Sequence, residues 1–440
     1  MNSRENSQTT RTDAVQITVA QATAAQTTAA QGGHTIPGIA RRLAAAALAF
    51  GLTALAGCSA PWSHSDAASA SASPSASQTA ATEAADSASP SESSTPETQT
   101  YSADVFLAGD YLLHSPVYDD GLQADGTYNF ASQMSGLGDI STGYDLKYYN
   151  QESILGGTQL GLSTYPCFNS PQEAGDAMVS MGFNLVSTAN NHSLDKGEKG
   201  IRSSLEYWAR QEQEHGVHMA GTYDSWDSQR AIPVYEKNGI TYTFLSWTYG
   251  CNGITPPAGE EYLVNEYPGR EQEMLDQVRQ AAAESDVTIV AMHWGTEYVF
   301  EPTAEQQTLA QELADAGADI IVGNHPHVVE PVQWIGNAIC YYAMGNTMSA
   351  QDDIDNQVGM VGGVTITKTV TGDQSAVQLS NARADLIYTY HDASYHNYQV
   401  IPFDRLDDAH LASHEAVYQK YSQYITQMDP SIGVGGVRKQ

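Results

Sequence analysis

Helical segments and short apolar runs alternate along most of this 440-residue chain, and that alternation predicts an α/β fold. Two further observations point the same way. The apolar runs end in Asp, Asn or His, as parallel strands do when chemistry sits at their carboxyl ends. The segments between them carry apolar residues at helical spacing. A hydrophobic fraction of 41% supplies material for a sizeable core and excludes wholesale disorder. The balance of 51 acidic against 19 basic residues, net −32, argues against a nucleic-acid partner, because nothing like a basic stripe offsets it.

The chain begins differently. Arg41-Arg42 precedes "LAAAALAFGLTALAG", which is too short to span a bilayer comfortably and suits the apolar region of a signal peptide. Its end, Leu55-Ala56-Gly57-Cys58, resembles the bacterial lipobox, in which the cysteine is lipidated and becomes the mature N-terminus. An ordinary secretory signal with a chance cysteine, a twin-arginine signal, and a start codon further downstream stay open. Residues 59–100 are rich in Ser, Ala and Thr, with five acids and no Lys or Arg. Such a stretch buries too little apolar surface to fold and reads as a tether. The expected organisation is a signal over 1–57, a tether over 58–100, a folded domain over 101–392 and a C-terminal extension with a helix over 393–440. An exported, lipid-anchored protein on the outer face of the cytoplasmic membrane follows as the expectation.

Within the folded part, "ADVFLAGD" is a strand ending at Asp110, and "DLKYYN" a second. "PQEAGDAMVSMG" is a helix feeding the strand "FNLVSTANNH". "EKGIRSSLEYWARQEQEHG" is amphipathic, with Ile201, Leu205 and Trp208 on one face. The strand "TYTFLSWTYG" follows. The helix "GREQEMLDQVRQAAAESD" feeds "VTIVAMHWG", and "TAEQQTLAQELADAG" feeds "ADIIVGNHPH". β-rich stretches run from "VEPVQWIG" to "SAVQLSNARADLIYTY", and "LDDAHLASHEAVYQKYSQYITQM" closes the chain as a helix. Cys167 and Cys251 both sit in loop-like sequence and are candidates for a disulfide in an exporting compartment, whereas Cys340 in "AICYYA" reads as a small buried hydrophobe.

Polar residues collect where the strands end: Asp110 and His114; Asn150 and Glu152; Asn190, Asn191, His192 and Asp195; His293 and Glu297; His325 and His327 in "VGNHPHVVEP". Five of the thirteen histidines fall in this set. Each element alone has a packing reading, since a Gly-Asp step makes turns, Asn caps helices and a lone His can be a core residue. Their recurrence at equivalent strand ends points instead to one site. Gly323 is expected to let the chain turn, and Pro326 to stiffen the step between two imidazoles. Asp, Glu, Asn and His suit divalent Mn, Zn or Fe, and more than four candidate ligands suggest two ions.

In this order the motifs resemble the calcineurin-like metallophosphatases: Asp110, then Asn150-x-Glu152, Asn191-His192, a lone His293, and Gly-x-His325-x-His327. More closely, "GDYLLH", "NQESILGG", "TANNHSLDKGEKGI", "HWGTEY", "GNHPHVVEPVQ" and "YYAMGNTMSAQ" resemble the bacterial CapA family of capsule and poly-γ-glutamate synthesis proteins, over about residues 103–390. The resemblance implies a four-layer α/β/β/α sandwich, one ion held by Asp110, Glu152 and His327, and a second by Glu152, Asn191, His293 and His325. It implies His192 as general acid, oriented by Asp195. Asn150, Asn190 and Glu297 are candidate supporting groups, and His114 is a candidate either for that role or as a substitute for the ligating histidine missing at Leu112. Two departures bear on the number of ions: Leu112 stands where the metallophosphatases carry a ligating His, and the bridging acid is a Glu rather than an Asp.

Two functions follow from the resemblance. One is a metal-dependent hydrolase or transferase acting on a phosphoester or an anionic envelope polymer; the other is a non-catalytic accessory of a polymer synthase or export complex. Residues 101–440 hold 15 Lys/Arg against 44 Asp/Glu, which fits poorly with general binding of an acidic polymer unless metal ions or a local basic pocket mediate it. Tyr149, Trp247, Tyr249, Trp294 and Tyr298 lie near the motifs and could line a groove or simply pack.

Overall fold

The computed structural model describes residues 97–439. Cys58, the apolar segment before it and most of the expected tether lie outside the described residues. Strand β1 (Thr98–Tyr111) begins within the stretch expected as tether. Helices α1 (Ser115–Gly121) and α2 (Ala131–Ile140) lead to β2 (Leu146–Gln151). Then come α3 (Glu173–Ser180), β3 (Leu185–Ser187), α4 (Gly197–His215) and β4 (His218–Ala220). After α5 (Trp226–Arg230), β5 (Tyr235–Lys237) and β6 (Ile240–Thr248), the alternation continues through α6 (Glu271–Glu284), β7 (Val287–His293), α7 (Ala304–Ala316) and β8 (Ile320–Asn324). The remaining elements are mostly strands: β9 (Val332–Ile335), β10 (Ala338–Tyr341), β11 (Asn346–Met348), α8 (Ile354–Gln357), β12 (Val358–Thr371), β13 (Gln374–Tyr390), β14 (Gln399–Pro402), α9 (His414–Thr426) and β15 (Gly433–Val434).

These strands form two sheets. One runs β14-β13-β12-β1-β2-β3-β4, with β11 beside β1 and β15 beside β13; the other runs β5-β6-β7-β8-β10-β9. β1 to β4 are parallel, and so are β6, β7, β8 and β10. Period-two alternation sorts the side chains of each parallel strand between two cores. Val105 and Leu107 of β1 join Ile289 and Ala291 of β7 and Ile320 and Val322 of β8 in one core shared by both sheets. Phe106 and Ala108 turn the other way, onto Leu137, Met178, Tyr207 and Trp208 of helices α2, α3 and α4. Val290, Met292 and Ile321 turn onto Met274, Val278, Leu309 and Leu313 of α6 and α7. Burial on both faces explains why these strands read as continuous apolar runs rather than alternating ones. Each fully buried Val, Leu or Ile contributes about 1.5–3 kcal/mol to that packing.

The helices follow their sequence signals. α4 buries Ile201, Ser204, Tyr207, Trp208 and Gln211, a stripe at three- and four-residue spacing. A capping box between Thr303 and Gln306 starts α7. The stretch from 393 onward, expected as an extension, contributes β14 to the edge of the first sheet, and Tyr421 and Ile425 of α9 to the inter-sheet core. Among the described residues no helix is long and apolar enough to cross a membrane.

Candidate metal centre

Strand register assembles the site. At the end of the first sheet, Asp110 pairs with Asn150 on one side and Asn346 on the other. At the end of the second, His293 pairs with Thr248 and Asn324. The carboxyl ends of both parallel sets thus present polar rows to one place, where ligands of α/β proteins gather. Asn150 is locked by Ser187 Oγ donating to its Oδ1 at 2.8 Å, while its Nδ2 donates to Asp110 Oδ1 at 2.8 Å. Asp110 Oδ2 accepts the His325 amide at 3.2 Å and lies 3.4 Å from His327 Nδ1.

Glu152 sits at the centre. It is fully buried, and neither carboxylate oxygen has a hydrogen-bond partner among the described residues. His293 Nε2 and His327 Nε2 each lie 3.6 Å from its Oε1. Glu152, His325 and His327 bring one ligand atom each within 4.8 Å of one another, an arrangement able to hold a metal ion. Burial pushes the Glu152 carboxyl well above the usual carboxylate range, against the pull of His327. Burial opposes protonation of His327, yet Glu152 and Asp110 outweigh it and raise that imidazole to about 9. The buried pair therefore retains a proton that a divalent cation would displace. Burial, with His325 and His327 nearby, holds His293 well below its ordinary value, and burial lowers His325 to about 3, so both rings offer neutral nitrogens. His325 Nδ1 is buried without a partner among the described residues.

His327 has a fixed orientation. Asn346 Nδ2 donates to Gln351 Oε1 (2.8 Å) and to the Asn356 carbonyl (3.0 Å), so its Oδ1 faces His327 Nδ1 at 3.0 Å. That keeps a proton on Nδ1 and makes Nε2, 3.6 Å from Glu152 Oε1, the nitrogen that would give up its proton to a metal ion. The His-Pro-His stretch is conformationally unusual, with φ of 101° at His325 and 57° at His327. Non-glycine residues there cost about 1–3 kcal/mol each and persist only where surroundings enforce them. Gly323 is not the turning point expected of it. Its φ is not in the left-handed region; instead a Cβ there would lie 1.7 Å from the Tyr342 carbonyl oxygen. The glycine serves close approach, and the turn falls on the histidines.

The Asn190–Asp195 loop supplies the other wall. Asn190 clips it, donating to the Gln151 carbonyl at 2.9 Å and accepting the His192 amide at 3.0 Å. Asn191 Oδ1 meets His293 Nε2 at 3.0 Å. His192 Nδ1 lies 2.7 Å from Asp195 Oδ2, which also accepts the Phe168 amide at 2.5 Å. This pairing turns His192 Nε2 away from the carboxylate, and the ring lines a cleft of about 420 Å³ together with His114, Phe168, Glu297, Tyr298 and His327. Glu297 is exposed at the mouth, and its charge favours the protonated forms of Glu152 and His327. Tyr149, Trp247 and Trp294 are core residues, whereas the half-buried Tyr249 packs 4.6 Å from the His325 ring and Tyr298, 53% exposed, flanks the cleft.

The disulfide expected between Cys167 and Cys251 is absent: both thiols are free. Cys167 faces solvent on the cleft rim, while Cys251 is enclosed with Leu194, Ile201 and Leu263, its Sγ 3.7 Å from the Asn190 carbonyl. Two loop-like contexts do not place two side chains on the same side of a loop. Cys340 is buried on β10. Sequence reasoning missed Asn346 and Phe168. The first stands in "YYAMGNTMSAQ", a stretch that enters through its resemblance alone and gives Asn346 no role.

A model of the bacterial capsule synthesis protein PGA_cap family matches residues 104–351. The chain is 28% identical over 267 residues to the PGA biosynthesis protein CapA of Bacillus subtilis, covering 58% of this chain and 66% of that protein. It is 28% identical over 186 residues to the capsule biosynthesis protein CapA of Bacillus anthracis, covering 40% and 43% respectively. A Mycobacterium tuberculosis protein described as a probable polyglutamine synthesis accessory protein is 21% identical over 197 residues, covering 43% of this chain and 51% of that one. The aligned region thus spans just under two thirds of the first of these relatives and about half or less of the others. A solved hypothetical protein from Thermus thermophilus shares 15% identity at a TM-score of 0.37, over 63% of this chain and 98% of that one, too low a likeness to build on. With more than half of its length matched, and its strand-end residues gathered into one buried Glu/His cluster, the chain belongs to the PGA_cap family of bacterial capsule synthesis proteins.

Proposed function

We propose that this protein is a metal-dependent hydrolase or transferase of capsule or poly-γ-glutamate-type polymer synthesis, exported and anchored outside the cell through a lipid on Cys58. Glu152 carries the reading: a fully buried carboxyl group with no hydrogen-bond donor among the described residues, 3.6 Å from two imidazole nitrogens, is an arrangement that a bound cation would satisfy. We assign Asp110, Glu152 and His327 to one divalent ion and Glu152, Asn191, His293 and His325 to a second, with Mn, Zn or Fe suited to the donor set. The shared inter-sheet core, with helices on both outer faces, supports the four-layer metallophosphatase sandwich. When bound, the ions supply Lewis acidity and positive charge to a phosphoester or other polar bond and to the water attacking it.

The chain's own residues do the rest. Asp195 holds His192 Nδ1–H and turns Nε2 into the cleft, so that the imidazolium form delivers its Nε2 proton to the leaving oxygen and is left neutral. Asn346 and Asn150 keep the ligands oriented. Synthase subunits are the proposed partners and an anionic polymer or phosphoester the proposed substrate. The test is metal analysis of the purified protein, followed by activity on generic phosphodiesters and envelope polymers. His192→Ala is expected to keep its metal and lose about 10²–10⁴-fold in rate. A protein that stays metal-free after supplementation sinks the reading. The Mycobacterium tuberculosis relative, described as an accessory protein, favours a second one, a non-catalytic accessory whose metal site is structural or ligand-binding; metal-loaded but inactive protein would support it.

A further inference from the structure

We infer that His114 is a neutral hydrogen-bond donor that orients substrate in the cleft, and not a metal ligand; this rests on the hydrolase or transferase reading above. His114 follows β1 and is the sequence's only histidine near the place where Leu112 replaces a ligating one. Its Nδ1 lies 3.3 Å from the Ala350 amide and 3.3 Å from the Leu112 carbonyl oxygen. A nitrogen accepts from the first or donates to the second, and not both. The Leu112 carbonyl already accepts the His114 amide at 3.1 Å, whereas the Ala350 amide has no other acceptor among the described residues. Nδ1 is therefore the acceptor, and the ring proton sits on Nε2.

A metal would need the Nε2 lone pair, and moving the proton to Nδ1 would orphan the Ala350 amide. Burial, against the pull of the Leu112 carbonyl and with His327 and His192 nearby, lowers His114 to about 4, in keeping with an uncharged ring. The hydrogen bonds of the ring among the described residues all fall on Nδ1, which leaves Nε2 to the cleft that the ring lines. Phe168 sets its position: its ring meets His114 edge-on at 5.0 Å and His192 at 4.6 Å, so the two imidazoles flank one aromatic wedge. His192 moves a proton, while His114 offers one it does not release. The cleft lining contains no Lys or Arg among the described residues; its other neutral donors include Asn252 and Gln351. Such a wall reads uncharged oxygens, so the group His114 holds is a carbonyl or hydroxyl beside the reacting bond, while any anionic oxygen falls to the metal side.

Long-range ¹H–¹⁵N spectra of the purified protein, with His114 assigned through His114→Gln, are expected to show a bare Nδ1 and a protonated Nε2. The reverse tautomer overturns the proposal. Metal content of His114→Ala and His114→Gln should equal wild type; a loss of one ion would make His114 a ligand and overturn it. On p-nitrophenyl glycerol 1-phosphate, a phosphodiester with a hydroxyl beside the reacting bond, His114→Ala is expected to raise KM about tenfold with kcat within about threefold, and His114→Gln, which keeps an N–H of similar reach, should recover most of that. On bis(p-nitrophenyl) phosphate, which lacks a carbonyl or hydroxyl, KM should stay at the wild-type value, and an equal rise there would overturn the proposal. Equal defects in both variants would reduce His114 to packing. If wild type hydrolyses nothing, the hydrolase reading and the substrate role fall together, while the tautomer and metal counts still separate donor from ligand.

Discussion

Two buried glutamates lie on either side of the His-Pro-His segment and differ in what surrounds them. Glu152 and Glu330 are both fully buried, and burial raises both carboxyls, Glu330 to about 8. Gln306 Nε2 donates to Glu330 Oε2 at 2.6 Å, no histidine among the described residues is paired with it, and Gln306 is itself tied into the cap of α7. Glu152 has no donor among the described residues, and imidazoles approach it from the end of β7 and from beyond the end of β8, across from the sheet that carries it. Burial and a raised pKa are therefore not what mark a site. Convergence of unpartnered ligand atoms is.

The sharpest way to break this comparison is Glu152→Gln. Metal content should fall to background, and with it the metal-induced stabilisation, about 2.7 kcal/mol for wild type at an ion concentration a hundredfold above Kd. Under chelation the same variant should melt no lower than wild type, because it removes an unsatisfied acid. Calorimetry with and without metal reads both; wild-type metal affinity in Glu152→Gln would end the distinction.

A smaller effect is expected for Asn346→Ala. Losing the acceptor that fixes His327 Nδ1–H should weaken metal binding by about 10–100-fold, read by competition with a chromogenic chelator. Unchanged affinity would mean that Asp110 Oδ2, 3.4 Å away, suffices to orient the ring.

The smallest is Glu330→Gln, which should leave metal content untouched. Because folding raises this carboxyl to about 8, its contribution to stability is fully present below the unfolded carboxyl pKa and is lost as pH rises through 8. The variant should therefore lie closest to wild type at the acid end of the pH range and exceed it above pH 8. Melting curves across that range that run parallel would show that Glu330 does not titrate.

Much of the site was legible in the sequence. Asp110, Asn150, Glu152, Asn191, His293, His325 and His327 were each visible because they end or follow apolar strands, and in parallel sheets strand ends converge. Asn346 was not, since its value comes from β11 lying parallel to β1, a pairing between segments far apart in the chain. The role of Gly323 was misread because a glycine after a strand looks the same whether it turns the chain or admits a neighbour. The cysteines misled in the same way: local sequence says where a residue sits along the chain, and nothing of which way it faces. The C-terminal stretch looked peripheral because β14 is only four residues long and pairs with a strand already placed.

Gly323 and Gly109 share a neighbour. A Cβ at Gly109 would lie 2.0 Å from the Gly345 carbonyl oxygen, as one at Gly323 would lie 1.7 Å from that of Tyr342. One short strip of main chain, 342–345, thus lies against the strand that carries Asp110 and the strand that leads to His325, with bare backbone on both flanks. It acts as a gauge block between the two halves of the site. The spacing across the centre is set by peptide thickness rather than by side-chain size, so point substitution cannot tune it in small steps. A lineage that altered the chemistry here would have to do so by exchanging ligands or reshaping the cleft wall, with the separation of the halves inherited unchanged.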